Sequence, residues 1–357
     1  MKPMRQLLFA ALIACTTSAN DAMAQAPPRP RAVTLEDVFM LRDIGGDVDP
    51  FLERSPDGRS VAFFVRDIQP DQDDYAYSLV LVDVASGDSR VLADAGRFIF
   101  RTDGGYRSGL GVDRIARFSP DGAWIYYLAE RGGRLNIRRV GVDGRDDEAV
   151  TDADGDVRSF QFVGEDLVFE TATPRSVAET QARADARAGF RVDDTFRAAY
   201  SLSRVVHETA DARHWVFNSH TGEISETEAL PDAPTPDRAS IRALDPASTV
   251  AEPALGVFYG DNDAARCAHA LCAGALDGAW VVNVDGAETV IFQRREGHGR
   301  TVTALYLWSP NSGDVSVVRQ AEERLFACGP SARSLVCFHE SALEPRRLVA
   351  IDLADGD

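Results

Sequence analysis

Five segments of this chain repeat one turn, and that repetition restricts the fold more than any single residue does. A strand ends in Asp, Ser or Asn, and a Gly four residues later is followed by an acid. The copies are Asp83-Val84-Ala85-Ser86-Gly87-Asp88, Asn218-Ser219-His220-Thr221-Gly222-Glu223, Ser309-Pro310-Asn311-Ser312-Gly313-Asp314 and Asp352-Leu353-Ala354-Asp355-Gly356-Asp357, with a shortened Val142-Asp143-Gly144. Each follows an apolar run such as Leu79 to Val82 or Leu305 to Trp308, and most lead into a more polar strand. Gly accepts the positive φ of a tight hairpin, and Asp or Asn hydrogen-bonds its own backbone.

A second turn lies upstream in each unit. Ser55-Pro56-Asp57-Gly58 precedes Ser60 to Val65, and Ser119-Pro120-Asp121-Gly122 precedes Trp124 to Leu128. Weaker copies are Val163-Gly164-Glu165-Asp166 and Val284-Asp285-Gly286. Proline presets the turn and Asp-Gly closes it. A unit therefore runs strand, turn, strand, loop, strand, turn, strand. Four antiparallel strands per unit of roughly 40 residues is the pattern of a β-propeller blade. Gly222 and Gly313 are 91 residues apart, which leaves room for two units. The expectation is an all-β propeller of six or seven four-stranded blades over 33–357. Six units are countable, the fourth (about 232–278) being poorly patterned. If there is a seventh, the segment from Val33 to Pro50, or sequence beyond Asp357, would complete it.

The formal net charge is −18, with no basic cluster, so the chain lacks the electrostatic footprint of a nucleic-acid binder. Past the N-terminus no apolar stretch approaches membrane-spanning length. Lys2 and Arg5 precede the apolar run Leu7 to Ala14, and Ala22-Met23-Ala24 offers a small-x-small cleavage site. Residues 1–24 thus predict an export signal and a periplasmic location. Leu12-Ile13-Ala14-Cys15 also fits a lipobox, in which Cys15 would carry a lipid anchor. Residues 25–32, rich in Pro and Arg, predict a disordered leader.

Export gives meaning to the even set Cys267, Cys272, Cys328 and Cys337. Pairing neighbours predicts Cys267–Cys272 and Cys328–Cys337. The second pair would close a hairpin of Leu325 to Cys328 with Leu335 to Phe338, around Gly329 to Ser334. A metal site on these cysteines and His269 is disfavoured because no Cys-x-x-Cys spacing exists.

Three segments depart from the repeat, and function tends to sit in such places. Asp94 to Arg114 carries Arg97, Arg101, Tyr106 and Arg107; it reads as a solvated connector or as a substrate-facing loop whose arginines meet carboxylates. Pro174 to Arg213 contains the helix-forming run Ser176 to Ala188, stopped by Gly189. It predicts a short helical insert in blade three, with Phe190, Arg191, Phe196, Arg197 and Tyr200 beyond it. Leu230 to Pro253 reads as a linker-like loop. Candidate substrate contacts are Arg101, Tyr106, Arg107, Arg191, Arg197 and Tyr200.

No Gly-x-Ser-x-Gly elbow and no His-Glu-x-x-His are present, so no catalytic residue, cofactor or metal is expected. Asp152-Ala153-Asp154-Gly155-Asp156 starts like a calcium loop but has Val157 where Gly belongs and Val163 where Glu belongs. Glu53 and Glu170 are the carboxylates to weigh for a propeller hydrolase with axial acids.

The blade motifs, the export signal and the closing stretch Glu344-Pro345-Arg346-Arg347-Leu348-Val349-Ala350-Ile351-Asp352-Leu353 together resemble the N-terminal propeller of prolyl-oligopeptidase-superfamily serine peptidases. A narrower resemblance is to the lasso-peptide isopeptidases of proteobacteria. It rests on Leu41-Arg42-Asp43-Ile44-Gly45, Gly189-Phe190-Arg191-Val192-Asp193-Asp194, Cys267 with Cys272-Ala273-Gly274, Arg294-Arg295-Glu296-Gly297 leading to Thr303-Ala304-Leu305-Tyr306-Leu307-Trp308, and Glu340-Ser341 with Pro345-Arg346-Arg347. The resemblance implies an α/β-hydrolase domain after Asp357 that carries a Ser-His-Asp triad. It implies a threaded peptide substrate whose isopeptide bond, between the N-terminal amine and an Asp or Glu side chain, is hydrolysed. The propeller alone would be inactive and would act as a filter. The competing expectations are a stand-alone periplasmic binding propeller of the TolB type and a propeller enzyme using axial carboxylates.

Overall fold

The structure is a computed structural model. It describes residues 51–103, 106–172, 212–228, 240–243, 255–259, 262–273, 276–284, 286–331 and 334–354, with single residues and short pieces elsewhere. The side chains of 101–109, 240–243 and 255–264 are outside that description, as are residues 1–31, 188–211, 229–239 and 244–254. The chain divides into two compact units, Met1–Phe39 and Met40–Asp357. In the first, the Thr34 backbone N–H donates to the Asp37 carboxylate (2.8 Å) and the Asp37 N–H donates to Thr34 Oγ1 (3.2 Å), a reciprocal cap.

The second unit is built of strands. The first sheet holds β1 (Asp43–Ile44), β2 (Glu53–Arg54), β3 (Ser60–Gln69), β4 (Asp74–Asp83) and β5 (Ser89–Arg97), followed by a separate hairpin of β6 (Phe100–Asp103) and β7 (Tyr106–Gly111). The second holds β8 (Ala116–Phe118), β9 (Trp124–Arg131), β10 (Arg134–Gly141) and β11 (Glu148–Ala149). The third holds β12 (Val157–Val163), β13 (Asp166–Thr171), β14 (Arg213–Phe217) and β15 (Ile224–Thr227), and the fourth β16 (Ser240–Ala243), β17 (Leu255–Tyr259) and β18 (Asn262–Arg266). The fifth holds β19 (Gly278–Val284), β20 (Ala287–Glu296), β21 (Val302–Trp308) and β22 (Val315–Ala321), and the sixth β23 (Arg324–Ser331), β24 (Ser334–Glu340) and β25 (Arg347–Asp352). All pairings are antiparallel meanders, as the turn repeat requires.

Every repeated turn forms where the sequence places it. The N–H of Gly87, Gly222, Gly313 and Gly356 donates to the C=O of Asp83, Asn218, Ser309 and Asp352 at 2.8–2.9 Å. Upstream, Gly58 and Gly122 donate to Ser55 and Ser119, while the serine hydroxyls donate to Asp57 (2.6 Å) and Asp121 (2.5 Å). The turns satisfy their own polar groups, so they recur wherever their residues recur.

Side-chain alternation shows how the sheets stand. On β3, Ala62 and Phe64 enter one core cluster with Ile125 and Tyr127 of β9, whereas Val61, Phe63 and Val65 enter another with Val336 and Phe338 of β24. On β9, Tyr126 and Leu128 turn instead to Leu167 and Phe169 of β13. On β20, Ile291 packs with Leu335 of β24, while Val290 and Phe292 pack with Cys267 and Cys272. The second strand of each of these sheets is thus sandwiched between two neighbouring sheets. That explains why these strands read as unbroken apolar runs rather than alternating ones. The first sheet packs on the last, through Phe63 and Phe338 with rings 5.5 Å apart and edge-to-face. This is the ring closure of a propeller.

Of the 33–50 segment, β1 extends the inner edge of the first sheet, pairing Asp43 with Arg66 beyond the Glu53–Ala62 pair made by β2. Two expectations are corrected in detail. Asp94 to Arg114 is no connector loop, because it continues β5 and then folds into the β6–β7 hairpin. Leu230 to Pro253 contains the strand β16, paired with β17 from Ser240–Phe258 to Ala243–Leu255. The helical insert is present: Ser176, Val177, Thr180, Arg183, Ala184 and Arg187 are helical, and the Ser176 hydroxyl donates to Asp154 at 2.7 Å.

Candidate functional site

A four-stranded meander places its first and third turns at one end and its middle loop and exit at the other. The Ser-Pro-Asp-Gly and Gly-acid turns therefore share one face. Ser331 Oγ, in the β23–β24 turn, donates to the Gly58 carbonyl, and Gly122 lies against Pro56, so neighbouring sheets meet turn to turn on that face. Among the described residues, the β6–β7 hairpin after β5 and the start of the insert after β13 leave from the opposite face.

The two disulfides form as the pairing of neighbours predicts. Cys267–Cys272 closes the β18–β19 connection, and Arg294 donates to the carbonyls of Leu271 and Ala273 (2.8 Å for the latter) to hold that loop on the fifth sheet. Cys328–Cys337 crosses the β23–β24 hairpin at its register shift between Phe326 and Gly329.

Two cavities lie among the first, fifth and sixth sheets. The first, of about 500 Å³, is lined by Trp280 of β19, by Arg324 to Cys328 of β23, and by Asp277, Arg295 and Arg300. The second, of about 440 Å³, is lined by Glu53 and Arg54 of β2, the Ser55–Gly58 turn, Val281 to Asn283 of β19, and Pro330. Three sheets contribute to it, so it lies on the axis. Arg300 pairs with Asp277 at 3.3 Å. Among the described residues, no carboxylate lies within ion-pair distance of Arg54, Arg295 or Arg324.

The axial carboxylates are held by cations. Burial pushes the Glu53 carboxyl up, opposed by Arg117, which lies 3.3 Å away. Glu170 sits on β13, one strand out from the axis, with Arg158 at 3.7 Å and His214 at 3.9 Å. Each is therefore the partner of an arginine rather than half of an acid pair. The Asp152–Asp156 run is likewise engaged by the protein. Asp156 accepts the Leu135 N–H (2.8 Å), Asp154 accepts Ser176, and Asp152 faces Arg134 at 3.7 Å. Among the described residues no group of three or more His, Cys, Asp or Glu gathers to hold a metal ion, and no helix is long and apolar enough to cross a membrane.

Of the candidate contacts, Arg101, Tyr106 and Arg107 lie on the β6–β7 hairpin, where Arg107 opposes Thr102 and Tyr106 opposes Asp103. Arg191, Arg197 and Tyr200 lie outside the described residues. Beside the hairpin, Tyr75, Phe98, Phe100 and Tyr77 form an aromatic cluster, with the Arg66 guanidinium 5.1 Å from the Tyr75 ring. Arg114 is buried against Tyr77 (4.9 Å); burial pushes its pKa down to about 10.

The irregular face also holds a buried ionic cluster that no motif announces. Glu323 accepts from Arg319 at 2.7 and 3.1 Å and contacts His339 Nε2 at 3.0 Å, and Glu323 and His339 are only 6% and 5% exposed. Burial pushes the Glu323 carboxyl up, but the hydrogen bonds and charge of Arg319, with His339, outweigh it and hold it below the usual carboxylate range.

Comparison with known proteins matches this architecture along nearly its whole length. The chain is 28% identical to the lasso peptide isopeptidase AtxE2 of Asticcacaulis excentricus, over 94% of this chain and 51% of that protein. The chain resembles a lasso peptide isopeptidase. Solved structures of AtxE2, one of a variant with Astexin3-dC4 bound and one apo, superpose with a TM-score of 0.75 at 27% identity, covering 91% of this chain and 53% of theirs. The chain thus spans about half the length of AtxE2. No protein-family model matches it.

Proposed function

We propose that this chain is the propeller half of an exported lasso-peptide isopeptidase, and that it shapes the space in which a hydrolase domain receives a compact threaded peptide. The observation that carries the proposal is similarity to AtxE2 along nearly the whole chain, at a length half that of AtxE2. The other half of such an enzyme is where a Ser-His-Asp triad belongs, since this sequence has no nucleophile elbow. Acyl transfer at the isopeptide carbonyl is ordinary serine chemistry; selectivity for a small folded knot requires walls. The irregular face suits that task. Its hairpin contains Arg101, Tyr106 and Arg107 in sequence, and the insert contains Arg191, Arg197 and Tyr200, residue types that pair with carboxylates and stack on peptide groups. Residues 1–24 serve as the export signal to the periplasm, where the two disulfides are stable.

Two experiments test this. The 357-residue chain is expected to take no label from a fluorophosphonate probe and to leave lasso peptides uncut, whereas the longer protein with its hydrolase domain does both. Stoichiometric labelling of this chain overturns the division of labour. Deleting 176–199 from the longer protein, with a short Gly-Ser bridge, is expected to leave the propeller folded and to lower turnover of a threaded peptide. Unchanged turnover removes the insert from the substrate path. The mass of the secreted N-terminus reports whether cleavage follows Ala24 or precedes a lipidated Cys15.

A further inference from the structure

The two cavities take neighbouring residues of β19 and β23, and one arginine, Arg54, lines the second of them. Along β23 the first cavity is lined as far as Cys328 and the second begins at Pro330; along β19 the first reaches Trp280 and the second begins at Val281. Gly329 marks the boundary. A Cβ built on Gly329 would fall inside the guanidinium of Arg54, so the Arg54 head lies flat against that glycine at the edge of the second cavity. A larger residue at 329 would displace it. This close approach is the one place on β23 that demands the absence of a side chain.

The charge around this point is unbalanced. The acid nearest in sequence, Glu53, is engaged by Arg117. Arg54 has no carboxylate within ion-pair distance among the described residues, and neither do Arg295 and Arg324 in the first cavity. Arg54 feels the Glu53 charge, and Asp57 also lines its cavity; in the neighbouring cavity Arg295, Arg300 and Arg324 face one acid, Asp277, so the positive excess lies on the Arg324 side. A guanidinium is a planar fork that matches a carboxylate in a bidentate way. The walls add a second requirement. The inner edges of β19 and β23 have no ladder partner among the described residues, so backbone N–H and C=O groups face the axis. Trp280 and Phe326 line the first cavity. Exposed backbone edges and two rings suit an extended peptide better than a bare inorganic ion.

We infer that the propeller axis is a peptide-carboxylate site, in which Arg54, positioned by Gly329, receives the negative end of a peptide segment entering past Arg324. The carboxylate is either the C-terminal α-carboxylate or an Asp or Glu side chain. The inference goes beyond the isopeptidase assignment. It is tested by binding to this chain without turnover, so either idea survives failure of the other.

The test uses three probes titrated into the 357-residue chain and followed by calorimetry: acetyl-Ala-Gly-Gly with a free carboxylate, the same peptide as its C-terminal amide, and acetyl-Ala-Asp-Gly amide. At least one carboxylate probe is expected to bind at least tenfold more tightly than the neutral amide, and the one that does identifies the source. Arg54→Gln is expected to abolish that preference, and Gly329→Ala to do so with the arginine retained. Arg145→Gln, on the turn face, is expected to leave it unchanged. Thermal unfolding checks that each variant is folded; if Gly329→Ala does not fold, Arg54→Gln decides. Equal affinity for all three probes, or a preference that survives in Arg54→Gln, overturns the inference.

Discussion

The two faces of the propeller are held by different physics. On the turn face, the first two blades share a small kit whose polar groups are answered within six residues, as in Ser119, whose Oγ donates to Asp121 and accepts the Trp124 N–H at 2.9 Å. Apart from seam contacts such as Ser331 to Gly58 and Arg90 to Val142, that face is held locally, whereas several ties on the opposite face join remote parts of the chain. Arg346 donates to the Ile44 carbonyl at 2.9 Å and reaches Asp43 at 3.2 Å across 303 residues, and the Arg97 N–H donates to Glu130 at 2.9 Å. Local chemistry can be copied from blade to blade. Remote chemistry cannot, and that is the face where the hairpin, the insert and the ionic cluster sit. A blade therefore keeps its fold through one end and is open to variation at the other.

The sharpest way to break this comparison is to remove Glu323, the centre of the ionic cluster. Glu323→Gln leaves Arg319 and His339 without their acid in a buried site, and is expected to cost about 3–5 kcal/mol. Chemical denaturation read by tryptophan fluorescence measures it; a loss under 1 kcal/mol would mean that the cluster is idle. The pH dependence carries the sign. The folded Glu323 carboxyl is held below its ordinary value, so its stabilisation is present above the usual carboxylate range and is lost as pH falls through the folded value. The wild type is expected to lose stability steeply on acidification below about pH 4.5, and Glu323→Gln less steeply.

The next effect is intermediate. Replacing Cys328 and Cys337 with Ser opens a crosslink of sequence separation 9, and is expected to cost roughly 2.5 kcal/mol through the entropy of the unfolded chain. Peptide mapping without reductant confirms the pairing first. The smallest effects belong to the turn face. Ser119→Ala and Ser55→Ala each remove one copy of the same hydrogen-bond kit, and each is expected to cost about 1 kcal/mol. Because the copies are separate, the double variant is expected to cost the sum within about 0.5 kcal/mol. A strongly non-additive result would show that the turns are coupled through the seam between the first two sheets.

How much was legible follows from the same contrast. The strand-ending turns at Asp83, Asn218, Ser309 and Asp352, and both disulfides, were readable because sequence neighbours complete them. The β6–β7 hairpin had a signal that passes unnoticed in an irregular stretch: Gly104-Gly105 lies between Phe100–Asp103 and Tyr106–Gly111, the two-residue spacing of a tight hairpin. β16 had almost none, since Ser240-Ile241-Arg242-Ala243 is held by pairing with β17 rather than by its own propensity. Glu323 and His339 look like ordinary surface residues in sequence, and only the packing of β24 behind β23 buries them.

The sequence by itself determined the meander: where each strand stops, which neighbours pair, and that the paired sheets need apolar cover. It did so because turn geometry, hairpin register and strand length are settled over a handful of residues. The tertiary structure alone decided which sheet faces which. The alternating residues of β3 are apolar on both sides, and nothing in Val61 to Val65 says that one side meets Tyr127 and the other Phe338. The site follows the same rule. Arg54 and Gly329 are 275 positions apart in the chain, and they become neighbours only when the last sheet closes on the first, setting a cation against a bare backbone at the edge of a cavity.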